Sequence, residues 1–149
     1  MLSVKRNGAH KNMIDGYVKV NGVWKQAIEI LTKKNGQWEK GWLSDIIGMN
    51  VTHTTSSMYD IFEDTFSRMS DPITIKNLVV KVYNGSGSLI HTETIDEATF
   101  WSISYNINGM ASLGITVNVS QKTIQYSVDI DTSTDARKVS FTIGRITLN

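Results

Sequence analysis

The sequence reads VKVNGVWK from Val18 to Lys25, and the same pattern occurs three times near the start of the chain. In each copy a basic stretch precedes Asn-Gly, and an aromatic or imidazole ring follows two residues after the glycine. The three copies centre, at a step of 14 residues, on Asn7-Gly8, Asn21-Gly22 and Asn35-Gly36. The rings of the three copies are His10, Trp24 and Trp38. Repetition at a fixed step indicates one supersecondary unit that is used several times.

Asn-Gly between two short strands is typical of a two-residue hairpin, because a type I′ turn requires positive φ at both central residues. We therefore predict that each copy forms one β-hairpin, with its Asn-Gly pair as the turn. In the second copy Val20 then lies opposite Val23, and Lys19 lies opposite Trp24. Asn7-Gly8, Asn21-Gly22 and Asn35-Gly36 are accordingly the predicted turn residues.

The third copy indicates which face of the hairpin is buried. Trp38 shares a face with Leu31, while the opposite face contains only polar residues, so we expect the tryptophan face to pack inward. The lysine opposite each ring can cover it with its methylene stem while its ammonium group reaches water. The alternative is that the aromatic side chains form an exposed platform for a glycan or a protein partner. This platform would consist of Tyr17, Trp24, Trp38 and Trp42.

Composition limits the class of protein. The chain has 149 residues, a formal net charge of +1 and no cysteine, which excludes disulfides and thiolate metal sites. Lys and Arg outnumber Asp and Glu between residues 4 and 40, so an acidic partner could be steered onto this part, but the basic residues are scattered and do not form a nucleic-acid footprint. The chain shows no apolar signal segment and no membrane span, so we expect synthesis in a cytoplasm without membrane insertion.

After Trp42 the pattern changes to alternating apolar and polar residues, rich in Ser, Thr and Asn. We predict an all-β chain in which a repeated hairpin module, residues 1–42, precedes an antiparallel β-sandwich or jelly-roll-like domain, residues 43–149. A short helix is the prediction for residues 57–69, where apolar residues approach helical spacing, with a strand as the alternative. Pro72 is expected at a turn or at the start of a strand.

The strands of the second domain follow from period-two alternation between turn signals. A hairpin is predicted around residues 84–88, and Gly144 with Arg145 interrupts the last strand as a bulge would. The predicted strands lie in residues 78–83, 89–95, 100–107, 113–119, 124–130 and 139–148.

No residue pattern points to catalysis, a cofactor or a metal. His10, His53 and His91 are expected to be surface or packing residues, since none has the spacing of a metal ligand. Asp129, Asp131, Ser133 and Asp135 alternate like the start of a calcium loop, but glycine at the sixth place and glutamate at the twelfth are missing, so a turn-rich hairpin connection is favoured. The acidic group Asp60, Glu63 and Asp64 could supply the carboxylates of a glycosidase only if two of them open into one cleft.

The hairpin repeats resemble the Asn-Gly-x-Trp-Lys repeats in structural proteins of tailed bacteriophages and prophages. The residues that carry this resemblance are Gly16–Lys25 and Lys33–Trp38. The resemblance implies a non-enzymatic virion component of the tail, baseplate, fibre or capsid surface, made in the host cytoplasm, which forms a homo-oligomer and binds other virion proteins. The alternatives are a carbohydrate-binding module for host-surface glycans and, with less support, a glycan-cleaving enzyme.

Overall fold

The computed structural model describes residues 3–6, 9–12, 16–27, 29–43 and 45–149, and within the first 44 residues it describes side chains only at 21–24 and 35–38. Two compact units are present, Met1–Asp45 and Ile46–Asn149. The described residues form strands and turns without a helix. The predicted fold class, repeated hairpins followed by an antiparallel β-sandwich, is therefore confirmed.

The first unit contains three antiparallel strand pairs, each of which forms a two-stranded sheet of its own. Its strands are β1 (Ser3–Arg6), β2 (Ala9–Asn12), β3 (Gly16–Val20), β4 (Val23–Ala27), β5 (Glu29–Lys34) and β6 (Gln37–Leu43). The register places Lys5 opposite His10, Lys19 opposite Trp24 and Lys33 opposite Trp38, as the sequence predicts.

The turns of the second and third hairpins have the predicted backbone. Asn21 and Gly22 have φ angles of 50° and 81°, and Asn35 and Gly36 have the same pair of values. Positive φ at both central residues is the geometry of a type I′ turn, which matches the twist of the two flanking strands. Asn7 and Gly8, the corresponding residues of the first copy, lie outside the described residues.

The second unit contains eight strands in two four-stranded antiparallel sheets. The strands are β7 (Ile46–Thr55), β8 (Tyr59–Thr65), β9 (Ile73–Asn84), β10 (Leu89–Phe100), β11 (Ser102–Ile107), β12 (Ala111–Asn118), β13 (Thr123–Ile130) and β14 (Ala136–Leu148). The first sheet has the order β10-β9-β14-β7 and the second the order β11-β12-β13-β8. Pro72 directly precedes β9, as predicted for a residue that cannot donate to a sheet ladder.

The core lies between the two sheets and consists of the apolar residues that alternate along β9, β12, β13 and β14. Tyr126 and Phe141 are the largest of these side chains, with 0% and 1% of their surface exposed. Burial of this kind supplies most of the free energy of folding, about 1.5–3 kcal/mol for each fully buried large apolar side chain.

The helix predicted for residues 57–69 is wrong, because the segment contains β8. Phe62 and Asp64 are half-buried, whereas Ile61 is 46% exposed, so residues alternate between the two faces of a strand. β8 pairs along its whole length with β13, from Tyr59 opposite Asp129 to Thr65 opposite Thr123. This pairing between distant segments overrides the local apolar spacing that favours a helix.

In one transverse row of the first sheet, the alternation of inward-facing and outward-facing residues is interrupted on all four strands. We call this row the crease. Its members, in register across the sheet, are Asn50, Gly144, Asn77 and Asp96. Fully buried residues on β14 lie three positions apart across the crease, at Ile143 and Ile146, instead of two. The predicted interruption at Gly144 is thus present, but the register to both neighbours continues through it without the extra residue of a bulge. Two members of the crease, Asn50 and Asn77, adopt positive φ angles of 51° and 55° at this level.

Four connections carry the chain from one sheet to the other. One of them, residues 131–135 between β13 and β14, was predicted as a hairpin connection, but its two strands belong to different sheets. Turns 56–58, 108–110 and 131–135 gather at one end of the sandwich, since Met58 accepts a hydrogen bond from Ile130 N and Met110 accepts one from Asp131 N. Ile46, where the chain enters the sandwich, lies at the other end of β7.

Candidate interaction surfaces

The tips of the second and third hairpins expose their indole rings. Trp24 is 66% exposed and Trp38 is 67% exposed, and Val23 beside the first of them is 60% exposed. The expectation that the tryptophan face packs inward is therefore wrong for these two rings. A separate two-stranded sheet has no second layer of its own to bury a ring, whereas a packed sheet buries one face. Large exposed aromatic rings of this kind are typical of binding surfaces.

The other two residues of the predicted platform are located by the backbone alone. Tyr17 lies on β3 opposite Gln26, and Trp42 lies on β6 opposite Ile30. The register of the third hairpin shifts between Ile30 and Leu31, because Leu31 pairs with Lys40 while Ile30 pairs with Trp42. Trp42 therefore does not continue the regular alternation that begins at Trp38. Whether the four rings form one platform stays a prediction.

His53 on β7, predicted to be a surface or packing residue, lies at the edge where β7 and β8 face each other. Its Nε2 atom is 2.8 Å from Asp64 Oδ2, and its ring stacks on Phe62 with 4.6 Å between centroids and an interplanar angle of 22°. Tyr126 and Phe141 contact the same ring at centroid distances of 5.2 and 5.6 Å. His53 is therefore a packing residue, as predicted, and with Asp64 it joins the two sheets.

Two tyrosine hydroxyls on the inner faces of the second sheet are buried. Neither Tyr105 Oη nor Tyr126 Oη makes a hydrogen bond of standard geometry. Burial raises the pKa of Tyr105. Burial and then the neighbouring Asp64 carboxylate raise the pKa of Tyr126 strongly, because both disfavour the phenolate. The two hydroxyls thus stay protonated at physiological pH.

The opposite edge of the sandwich has a second histidine–carboxylate pair. His91 Nε2 on β10 lies 2.8 Å from Glu93 Oε2, and these residues pair across the ladder with the buried Val82 and Val80. Polar and charged residues that point inward on an edge strand discourage pairing with a further strand. We assign this pair, like His53 with Asp64, to the protection of an edge.

The acidic group on β8 does not assemble in the way that a glycosidase requires. Asp60 accepts hydrogen bonds from Thr55 Oγ1 and from Ile61 N, and Asp64 binds His53. Glu63 is exposed, one residue out of phase with both aspartates. Four residues along a strand separate Asp60 from Asp64 by about 13 Å of backbone, which exceeds the roughly 5–9.5 Å between paired catalytic carboxylates. The three carboxylates have structural partners or point to solvent.

A groove of about 440 Å³ lies at the end of the sandwich where turns 56–58, 108–110 and 131–135 gather, and we call it the acidic groove. Its polar lining comprises Asn106, Ser112, Asp129, Asp131 and Thr132. Among the described residues, no Lys or Arg lines it. Its carboxylates come from the segment in which the sequence shows the calcium-like alternation.

Hydrogen bonds hold the walls of the acidic groove in place. Asn106 Oδ1 accepts a hydrogen bond of 2.8 Å from Gly109 N, which fixes the β11–β12 turn. Asp131 accepts hydrogen bonds from Ser133 Oγ (2.6 Å) and Ser133 N (2.9 Å), and these bonds lower the pKa of its carboxyl group. The Asp129 carboxylate has no hydrogen bond or ion pair within the part of the chain that the structure describes, so its charge is available to a ligand or partner.

The acidic loop residues do not form a metal centre. Asp131 is committed to its turn, and Asp135 lines a separate shallow groove of about 420 Å³ together with Arg137. Within the described ranges, no group of three or more acidic, histidine or cysteine side chains could hold a metal ion. The described residues also contain no helix with the length and apolarity needed to cross a bilayer.

The sequence did not point to the acidic groove, because its residues come from three segments that only the sheet pairing brings together. Asn106-x-x-Gly109 and Asp131-x-Ser133 are recognisable as turns from sequence, but their proximity is not. Comparison with known proteins adds no assignment, since no protein-family model, curated protein or solved structure matches this chain.

Proposed function

We propose that this chain is a non-enzymatic structural component of a tailed-phage virion, associated with the tail, baseplate, fibre or capsid surface, and that it acts through protein–protein assembly. The observation that carries the proposal is the presentation of Trp24 and Trp38 at equivalent positions of repeated type I′ hairpins, each about two-thirds exposed. Tryptophan is enriched among the residues that dominate binding energy at protein interfaces.

Hairpin physics supports an assembly role. An isolated two-stranded hairpin is only marginally stable in water, so each repeat gains stability when a partner surface covers its ring. The backbone register places a lysine opposite the tryptophan of each of these two hairpins. Such a tip suits a partner surface that is acidic and partly apolar. The sequence resemblance to virion repeats rests on the same residues.

The proposal is tested by mass spectrometry of purified particles from the phage or prophage that encodes the chain. We expect the chain in the particles at a fixed ratio to a known virion protein. A Trp24→Ala/Trp38→Ala variant should be made in normal amounts but lost from the particles. Trp101→Ala is the matched control, because Trp101 is 63% exposed but lies in the sandwich unit. Absence of the wild-type chain from purified particles would refute the proposal.

A second candidate function, binding of host-surface glycans, is favoured by the same exposure of the indole rings. Flat aromatic faces are apolar surfaces on which a sugar ring can stack. A glycan array with the full chain would then give signals that disappear in the Trp24→Ala/Trp38→Ala variant and persist in Trp101→Ala. An array without signal, combined with incorporation into particles, would leave assembly as the function of the hairpins.

A further inference from the structure

We propose that the acidic groove of one copy binds the tryptophan-bearing hairpin tip of a second copy, so that the chain assembles head to tail. This inference rests on the proposed assembly function and deepens it, because it names one partner and both contacting surfaces. The two surfaces are different parts of the chain, so the contact is heterologous and extends into a ring or a filament.

The charges of the two units are complementary. Unit Met1–Asp45 contains eight Lys and Arg against four Asp and Glu, whereas unit Ile46–Asn149 contains seven against ten. The sequence is almost neutral as a whole, with a net charge of +1, because these two imbalances cancel. Opposite charge on two units of the same chain steers copies of the chain toward each other.

The acidic groove offers the chemistry that a hairpin tip needs. Asp129 provides an uncommitted carboxylate for a lysine, and no cation among the described residues competes for it within the groove. Apolar residues adjoin it, since Met58 lines the groove with 64% of its surface exposed, and Tyr59 and Ile61 follow at 60% and 46%. The groove therefore combines negative charge with exposed apolar surface.

The hairpin tips have the matching arrangement. Lys19 lies opposite Trp24 and Lys33 lies opposite Trp38, so each tip carries a cation and an indole at the same level of its ladder. The indoles are 66% and 67% exposed. The volume of the groove, about 440 Å³, falls within the range of roughly 300–1,000 Å³ that is usual for ligand clefts. One indole ring can thus enter the groove.

The groove lies at a fixed place in the sandwich unit, beyond Thr55 at the end of the ten-residue strand β7. The turns that line it are held by hydrogen bonds, so the site is formed before the partner arrives.

The test uses the full chain and two variants that each remove one surface. The hairpin variant is Trp24→Ala/Trp38→Ala, and the groove variant is Asp129→Asn/Asp131→Asn. Asparagine keeps an oxygen that can accept the hydrogen bonds from Ser133, so the turn of the groove variant is retained. Asp96→Asn/Glu97→Gln is the matched control, because it removes two exposed negative charges from the other sheet. Circular dichroism melting curves establish that all variants are folded.

Light scattering and sedimentation over a range of concentrations should show wild-type and control oligomers that dissociate at high salt. Each surface variant alone should associate about 30-fold or more weakly, because truncation of a hot-spot residue costs at least about 2 kcal/mol. A mixture of the hairpin variant with the groove variant should form a complex, since one retains an intact groove and the other intact hairpins.

Three results would overturn the inference. The first is a wild-type chain that is monomeric at every concentration. A hairpin that docks on the sandwich of its own chain would give this result. The second is unchanged association in either surface variant, and the third is the absence of a complex in the mixture. A monomeric chain that is nevertheless found in purified particles would remove this inference alone. An oligomer that is absent from particles would remove the proposed virion function alone.

Discussion

Replacement of Gly144 by alanine should destabilise the sandwich through the crease. A Cβ atom at position 144 would lie 2.9 Å from Asn77 Cβ and 3.2 Å from the Lys76 carbonyl oxygen. Carbon atoms in contact prefer about 3.5–4.0 Å, so the new methyl group is at least about 0.6 Å too close to a neighbouring strand. The obstacles are a Cβ atom and a backbone oxygen, which cannot rotate away.

The size of the effect follows from two opposing contributions. Overpacking of one methyl group against a well-packed structure costs about 1–3 kcal/mol. Alanine also restricts the unfolded chain, which returns about 0.4–1 kcal/mol of stability. We therefore expect Gly144→Ala to lower the free energy of unfolding by about 1–2 kcal/mol. Urea denaturation followed by circular dichroism measures this change.

Gly85→Ala is the matched control, because the closest atom to its new Cβ would be Arg137 Cγ at 3.7 Å, an ordinary contact. It should be neutral or slightly stabilising. Asn77→Gly should relieve the clash, since it removes the opposing Cβ from a residue whose φ of 55° suits glycine. The double variant Asn77→Gly/Gly144→Ala should then be at least about 0.5 kcal/mol more stable than additivity predicts. Equal stability of Gly144→Ala and Gly85→Ala, or strict additivity, would refute this account of the crease.

Three further predictions concern the sandwich. The pKa of Tyr126 is higher in the folded chain than its ordinary value of 10.0. Its contribution to stability is therefore complete below about pH 10 and is lost as the pH rises further, at up to about 1.4 kcal/mol per pH unit. Tyr126→Phe should flatten this fall in alkaline urea denaturation, and an unchanged slope would contradict the raised pKa. Phe141→Ala, at a residue 1% exposed, should lower the free energy of unfolding by about 3–5 kcal/mol in the same assay, whereas Gln125→Ala at an exposed position should change it by less than about 0.5 kcal/mol. Gly109→Ala should cost about 1–2 kcal/mol although no atom lies within 4 Å of its new Cβ, because its φ is +69°; a neutral result would show that the β11–β12 turn can change its type.

Local chemistry explains what the sequence predicts well. Asn21-Gly22 and Asn35-Gly36 determine their turns because few other residue pairs accept positive φ twice in succession, and the register of each hairpin follows from the turn. The strands of the core were similarly visible as alternation, for example along β13. These features depend on residues close together in sequence.

Features that depend on distant segments were missed or wrongly predicted. β8 looked helical because it combines an exposed Ile61 with inward polar residues such as Asp64, and the strand with which it pairs, β13, is remote in sequence. The acidic groove could not be predicted for the same reason. The exposure of Trp24 and Trp38 was predicted only as the alternative, because alternation identifies the two faces of a ribbon but not whether a second layer covers either face.

The crease also limits how the first sheet can change its length. All four strands shift their alternation at the same level, so residues on each side of that level point inward in step with their neighbours. The insertion or deletion of one residue beside the crease in one strand would turn the apolar residues of that strand toward solvent, while the other three strands kept their apolar residues inside. Related sequences should therefore vary in length at the turns of this sheet, while the three-residue step between buried residues across the crease, from Ile75 to Leu78 and from Ile143 to Ile146, should stay invariant among them.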